Sequence, residues 1–428
     1  MMQKRATPLS SLSPLVLALT VFGLTPACSA EPPCPPADLP QAGPEARWAV
    51  VTSDYLSTAV GLLREDGTVL DEAWVDSGSA PAGIVAALSG DVALPSAPSG
   101  RGELLVIDRF GVDVVSRFDL RTGTVLSQAR TQLGAEAGGG GFRSNPQDAR
   151  VTDGGALFVS RFAPNPDPSA PPLDRGNDLV ELDAEGPVRR IDFSPLNVDV
   201  DGTLAYARPG RIARLGHYWV IGLGRLSADF MTAGPGAVAV LDSLDSPDEP
   251  SSLAALLLPD LANCPEVRQS PTGDSVFVVC SGDTFTSTTA TRRDRAGVVR
   301  IVLGPDGPAL AEVYRAAEDP AGPVPSGAPV PLDDARVVVV SAGDAARADA
   351  LFTVDLASLT HQRWHEAGNA FVLGTGAFDP GTNRLLMPDA DEGLLRFTLD
   401  GLTATAETTV DPSPCRGLPA REVTALAF

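Results

Sequence analysis

One phrase recurs seven times along this chain, and it limits the possible folds more than any other feature. An apolar strand leads through a short gap to a second strand, often ending in Asp, and a turn then leads to a third strand. The phrase first appears as WAVVTSDYLSTAVGLLREDGTVL from Trp48, ELLVIDRFGVDVVSRFDLRTGTVL from Glu103 and ALFVSRFA…NDLVELDAEGPVRRI from Ala156. YWVIGLGR…GAVAVLDSLD from Tyr218 and SVFVVCSGD…GVVRIVLGPDG from Ser275 follow. RVVVVSAGD…ALFTVDLASLTHQRW from Arg336 and RLLMPDADEGLLRFTLDGLTATAE from Arg384 complete the series. The starts lie roughly 50 to 60 residues apart, a period at which Val-rich strands and Asp-Gly or Gly-Thr turns predict repeated four-stranded antiparallel units.

Each unit needs a fourth strand. Six of the phrases are preceded by a weaker strand and turn: DVALPSAPSGRG, DARVTDGG, RIARLGH, PEVRQSPTGD, PVPLDDA and GAFDPGTN. The first phrase has only a Pro-rich stretch before it. The missing strand lies at the other end, where PAREVTALAF (Pro419 to Phe428) has no phrase after it. The economical arrangement pairs this last strand with the first unit. That closes a ring and removes the sheet edges an open array would expose.

This repeat grammar, over roughly Trp48 to Phe428, resembles the bacterial seven-bladed β-propellers, especially the YVTN and lactonase-like group. The YVTN tetrapeptide and the WD and kelch signatures are absent. The expected fold is therefore all-β, a seven-bladed β-propeller of four-stranded antiparallel blades closed by the C-terminal strand. The stretch Ser77 to Gly102 has room for further strands, so six or eight blades also fit.

Composition narrows the function classes. The 428 residues are 43% hydrophobic with 42 Gly and 39 Pro. That is too punctuated for a helical bundle and too apolar for a disordered chain. The net charge of −22 repels phosphate backbones, so no nucleic-acid partner is expected. Lys4 is the sole lysine, which excludes Schiff-base and Walker-type phosphate chemistry from the folded part.

Residues 1–28 read as a secretion signal, with Lys4 and Arg5 at the positive end and an apolar segment from Leu15 to Leu24 too short to span a bilayer. LTPACSA from Leu24 resembles a bacterial lipobox, which makes Cys28 the expected site of acylation. Leu24 lies one residue further from the cysteine than that pattern prefers, and an ordinary cleavage after Ala30 is the alternative. Residues 29–46 read as a Pro-rich tether, and 47–428 as the propeller domain. The expected location is the bacterial cell envelope, lipid-anchored on the outer-membrane or periplasmic side, with secretion as the alternative. A monomer is expected.

Four cysteines remain after Cys28. Cys264 and Cys280 flank a turn at Pro271-Thr272-Gly273; a hairpin centred on Thr272 places them opposite each other, unless a bulge shifts the register. Cys34 precedes the first unit and Cys415 the closing strand, so a bond between them would staple the ring where its ends meet. Both pairings presuppose an oxidising compartment.

In four consecutive units the gap after the first strand of the phrase is enlarged or polar: Ala163 to Gly176, Arg225 to Gly236, Asp283 to Ala296 and Gly343 to Asp349. Equivalent loops of a propeller emerge on one face, so Arg161, Asp174, Asn177, Asp178, Arg225, Asp283 and Asp344 are candidate binding-face residues. The Asp-rich stretches at Asp199 and Asp389 read as turns rather than calcium loops. His361 and His365 fall on one strand about 13 Å apart, too far to share a metal. No Ser nucleophile elbow or quinone-docking tryptophan motif is present, so no catalytic residue, metal set or cofactor is assigned. Two readings follow: a tethered binding or scaffold module for a protein, glycan or small molecule, and a lactonase-like hydrolase with an acid cluster in the central channel.

Overall fold

A computed structural model describes residues 45–78, 87–109, 111–134, 138–244, 252–283 and 288–427. The expected signal, Cys28, most of the tether and Cys34 lie outside them. Among the described residues, seven four-stranded antiparallel sheets follow one another along the chain, with one small three-stranded sheet between the third and fourth. In the third sheet, for example, Pro146–Val151, Leu157–Pro164, Gly176–Leu182 and Pro187–Asp192 pair in sequence order from the innermost strand outward. These sheets belong to a β-propeller, and the four-stranded ones are called blades below, in chain order.

Closure follows the expected route. Ala420–Ala425 pairs antiparallel with Trp48–Ser53, with Trp48 facing Ala425 and Val50 facing Val423, and so supplies the innermost strand of the first blade. Leu426 N–H donates to Arg47 O at 2.8 Å and extends the pairing past the strand end.

Packing explains the Val-rich runs. Seven apolar clusters each join two successive blades. In the strand Arg336–Ser341, Val337 and Val339 pack toward the fifth blade, while Val338 and Val340 pack toward the seventh. A strand covered on both faces needs no polar alternation, so it reads as a continuous apolar run. The last cluster sets Trp48, Val50, Leu63 and Val423 of the first blade against Ala377, Leu386 and Leu394 of the seventh. The outermost strands meet water and read accordingly, as in Thr360–Glu366, THQRWHE.

Two features depart from the expected pattern. The hairpin around Thr272 pairs Glu266 with Val279 and Gln269 with Val276, one residue off the expected register. The Cys264–Cys280 disulfide still forms, because the chain bulges ahead of the strand: Asn263 has φ +51°, and Asn263 O accepts from Ser281 N–H. The small sheet (Val198–Val200, Thr203–Tyr206 and Leu226–Ser227) uses part of the Arg225 to Gly236 gap as its third strand.

Candidate functional site

The innermost strands are the weak, polar lead-ins of the repeat, and they carry charge to the axis. Arg211, on Pro209–Leu215 of the fourth blade, donates to Glu422 Oε1 of the first blade at 2.8 Å and to Leu94 O at 2.5 Å. Glu422 Oε2 accepts from Leu94 N–H at 3.0 Å. Asp148 of the third blade accepts from Ile212 N–H at 2.8 Å, from Ser96 N–H at 3.0 Å and from the Ser96 hydroxyl. Arg150 donates to Ile212 O at 2.6 Å, and Arg268 donates to Gly376 O at 2.7 Å. Glu266, which begins the innermost strand of the fifth blade, keeps its Oε2 3.7 Å from Arg211 Nε with no hydrogen bond.

Three carboxylates and three guanidiniums therefore converge on the axis. Burial pushes the Glu266 carboxyl above the usual range against the pull of Arg211. Burial also pushes Arg268 down to about 10. For Arg211, burial works downward, but the carboxylates of Glu422, Glu266 and Asp148 outweigh it and strengthen its hold on the proton. Asp148 and Glu422 have their oxygens filled by guanidinium, hydroxyl or backbone donors, so Glu266 is the acid of this set with an open valence. Among the described residues, no group of three or more His, Cys, Asp or Glu side chains is arranged to hold a metal ion.

Above this cluster a cavity of about 280 Å³ opens on the face that carries the loops between second and third strands. Arg211, Glu266 and Glu422 reach it from the axis; Tyr55, Arg109, Phe371 and Arg421 stand around its mouth. Tyr55 and Phe371 are 63% and 73% exposed and have φ of +68° and +63°. A bulky aromatic in the left-handed region is strained, and strain of that kind clusters at ligand clamps. The backbone that carries each ring is held by its surroundings. Gly90 packs so closely that a Cβ there would lie 2.0 Å from Tyr55 O. The Asp349 carboxylate accepts from Gly343, Val372 and Leu373 N–H at 2.8–3.1 Å and so fixes the chain that follows Phe371. Arg421 lies with its guanidinium carbon 4.7 Å from the Tyr55 ring centre and donates to Ser53 O.

The candidate residues lie in or beside the loops between second and third strands, and most point inward. Arg161 and Asp178 form a fully buried bidentate pair, both contacts 2.7 Å, and Arg161 also donates to Thr131 O and Leu173 O. Asp174 is buried and accepts from Leu133 and Gly140 N–H. Asn177 accepts from Arg208 N–H. Arg225 is buried and donates to Pro235 O. These five brace the loops. Asp283 and Asp344 are half-buried in their loops, Asp344 accepting from Ala346 N–H. Asp199 caps its turn through Gly202 N–H, as its sequence suggests. The Cys34–Cys415 pairing lies outside the described residues through Cys34; Cys415 is exposed, and its N–H donates to Glu72 Oε2.

The axial residues carried a sequence signal that the loop-length argument passed over. The lead-ins contain Asp148-Ala149-Arg150 and Glu266-Val267-Arg268, charge alternating with apolar residues at period two. In an innermost strand that alternation turns the charged side chains to the channel.

No protein-family model and no curated protein matches this chain. Solved structures do match in fold. A Bacteroides uniformis protein provisionally assigned as a 6-phosphogluconolactonase superposes with a TM-score of 0.54 at 15% identity, over 89% of this chain and 99% of its own. A Lactobacillus plantarum protein gives 0.54 at 12% identity over the same shares. The β-propeller domain of Myceliophteria thermophila Cps50 (Swd1) gives 0.51 at 11%, over 83% and 97%. At such identities these likenesses establish the propeller fold alone.

Proposed function

We propose that this chain is an exported, lipid-anchored propeller of the bacterial cell envelope that binds a small ligand in the axial pocket of its loop-rich face. One observation carries the binding reading: two exposed aromatics, Tyr55 and Phe371, stand at the pocket mouth in left-handed backbone, the first packed against Gly90 and the second followed by chain that buried Asp349 holds. Export is supported by the N-terminal signal pattern, by Cys28 in its lipobox-like setting, and by the Cys264–Cys280 disulfide, which belongs to oxidising compartments.

The test has two arms. Cys28→Ala is expected to move the protein from the membrane fraction to the soluble fraction of the cells that export it. Thermal-shift screening of the full chain against amino acids, sugars, short peptides and lactones is expected to find one class that raises the Tm. The rise should disappear in a Tyr55→Ala/Phe371→Ala variant. A shift that survives this variant places binding elsewhere, and no shift from any class overturns the reading.

A hydrolytic reading is favoured by Glu266, an axial carboxyl whose Oε2 lacks a hydrogen bond. The likeness to the Bacteroides uniformis protein points the same way. Lactone turnover that Glu266→Gln abolishes would select it over simple binding.

A further inference from the structure

The charges around the axial pocket do not all cancel, and the residue left over has a definite shape. Seven charged side chains line the cavity. Arg109 pairs with Asp91, its Nε donating at 3.0 Å. Arg211 pairs with Glu422 at 2.8 Å. Asp349 is filled by three backbone N–H groups. Two charges of opposite sign remain. Glu266 is second in line for Arg211, at 3.7 Å, with Arg268 acting at longer range; its Oε2 is buried without a hydrogen bond, and the side chain keeps 26% of its surface exposed. Arg421 donates through Nε to Ser53 O and lies over Tyr55; among the described residues it forms no ion pair, and Asp54 acts on it only at longer range.

Resting on the binding reading above, we propose that the pocket takes a small zwitterion of the α-amino-acid class, its ammonium toward Glu266, its carboxylate toward Arg421 and its side chain between Tyr55 and Phe371. Glu266 belongs to the axial cluster and Arg421 to the mouth, so the two ends of the ligand are told apart by sign. A carboxylate ligand alone would leave Glu266 unanswered, and a cation alone would be repelled by Arg421. A neutral sugar would satisfy neither charge. The cavity, about 280 Å³, lies near the lower edge of small-molecule sites, which suits a single amino acid better than a peptide. The exposed rings at the mouth favour an apolar or aromatic side chain.

The test is calorimetric titration of the full chain with L-phenylalanine, N-acetyl-L-phenylalanine and L-phenylalaninamide. Free phenylalanine should bind, and each capped form should bind roughly 10- to 100-fold more weakly, the loss expected for one charge-assisted hydrogen bond. Glu266→Gln should erase the preference for phenylalanine over its N-acetyl form, and Arg421→Gln the preference over its amide. The capped ligands test the idea on the unaltered protein, so a variant that fails to fold does not remove the test. Equal binding of the free and capped forms overturns the zwitterion. Binding of a sugar with no response to any of the twenty amino acids also overturns it but leaves the pocket reading standing. Silence from every class in the wider screen removes both.

Discussion

Arg211 Nη2 and Glu422 Oε1 meet at 2.8 Å across the propeller axis, joining the fourth blade to the strand that closes the first. Each group is nearly inaccessible, with side-chain exposures of 7% and 8%. Removing one partner strands the other in the interior. Arg211→Ala is therefore expected to destabilise the fold by about 3–5 kcal/mol, read from urea unfolding. Arg211→Met combined with Glu422→Leu should recover part of that loss, since neither member of the pair is left alone, while Leu94 N–H and O lose their partners and Glu266 its nearest guanidinium. A single variant within about 1 kcal/mol of the parent would show that the pair is solvated in solution.

Ring closure makes a sharper demand. Trp48 and Val50 are fully buried beneath the final strand and the seventh blade. Deleting residues 419–428 exposes the inner edge of Trp48–Ser53 and the cluster it covers, an invitation to edge-to-edge association. The truncated chain is expected to elute as large species in size-exclusion chromatography and to lose its cooperative thermal transition. Moving the same ten residues to a position just ahead of residue 46, through a short Gly/Ser linker, should restore both, because Leu426 already bonds to Arg47. Failure of that permutant to fold would contradict the closure.

The Cys264–Cys280 disulfide closes a loop with a sequence separation of 16. Replacing both cysteines with Ala should lower stability by about 2–4 kcal/mol while leaving the β-rich circular dichroism spectrum intact. The bond tethers one hairpin, and both cysteines are also members of the apolar cluster between the fourth and fifth blades, so part of the loss is lost packing there; the cluster on the other side of the fifth blade does not include them.

Asp108 sets a pH dependence of definite sign. Burial pushes its carboxyl up to about 6 from 3.8, against two hydrogen bonds from Ser89, with the Asp91 and Asp113 charges adding to the rise. A folded pKa above the unfolded one means that the folded state binds the proton more tightly. The stabilisation is full below about pH 4 and is lost as pH rises through 6, a change of roughly 3 kcal/mol. Asp108→Asn should flatten the fall of Tm between pH 4 and 6 measured by circular dichroism. An unchanged slope would assign it to other buried carboxyls such as Glu266 and Asp113.

What the sequence made legible was what repeats. The seven phrases, the displaced strand and the bonded cysteine pair all come from local pattern, and a strand buried on both faces announces itself by an unbroken apolar run such as Val337–Val340. The axial site was harder to read because its members come from different blades. Glu422 and Arg211 are 211 residues apart in sequence, and only closure brings them together. Loop length drew attention to Arg161 and Asp178, yet a charged residue in a long loop can as well be a buried brace, and the two cases look alike in one dimension. Tyr55 lies in one of the shortest gaps of the series and would not be singled out by length at all.

Gly90 tests whether the pocket mouth is built or incidental. A Cβ at this position would lie 2.0 Å from Tyr55 O and 2.2 Å from its carbonyl carbon, both backbone atoms that cannot rotate away. The Ser53 hydroxyl also bonds to Gly90 O at 2.7 Å and accepts from Tyr55 N–H, so the three residues form one unit. Gly90→Ala must therefore displace the Tyr55 loop. The core clusters lie below this contact, so the cost in stability should stay within about 1–3 kcal/mol, as for local overpacking. The effect on the pocket should be larger: Tyr55 leaves its place over Arg421, and affinity for whichever compound the thermal screen selects should fall at least as far as in Tyr55→Ala. If Gly90→Ala binds as the parent does, the left-handed backbone at Tyr55 is a by-product of packing and the mouth is not a clamp.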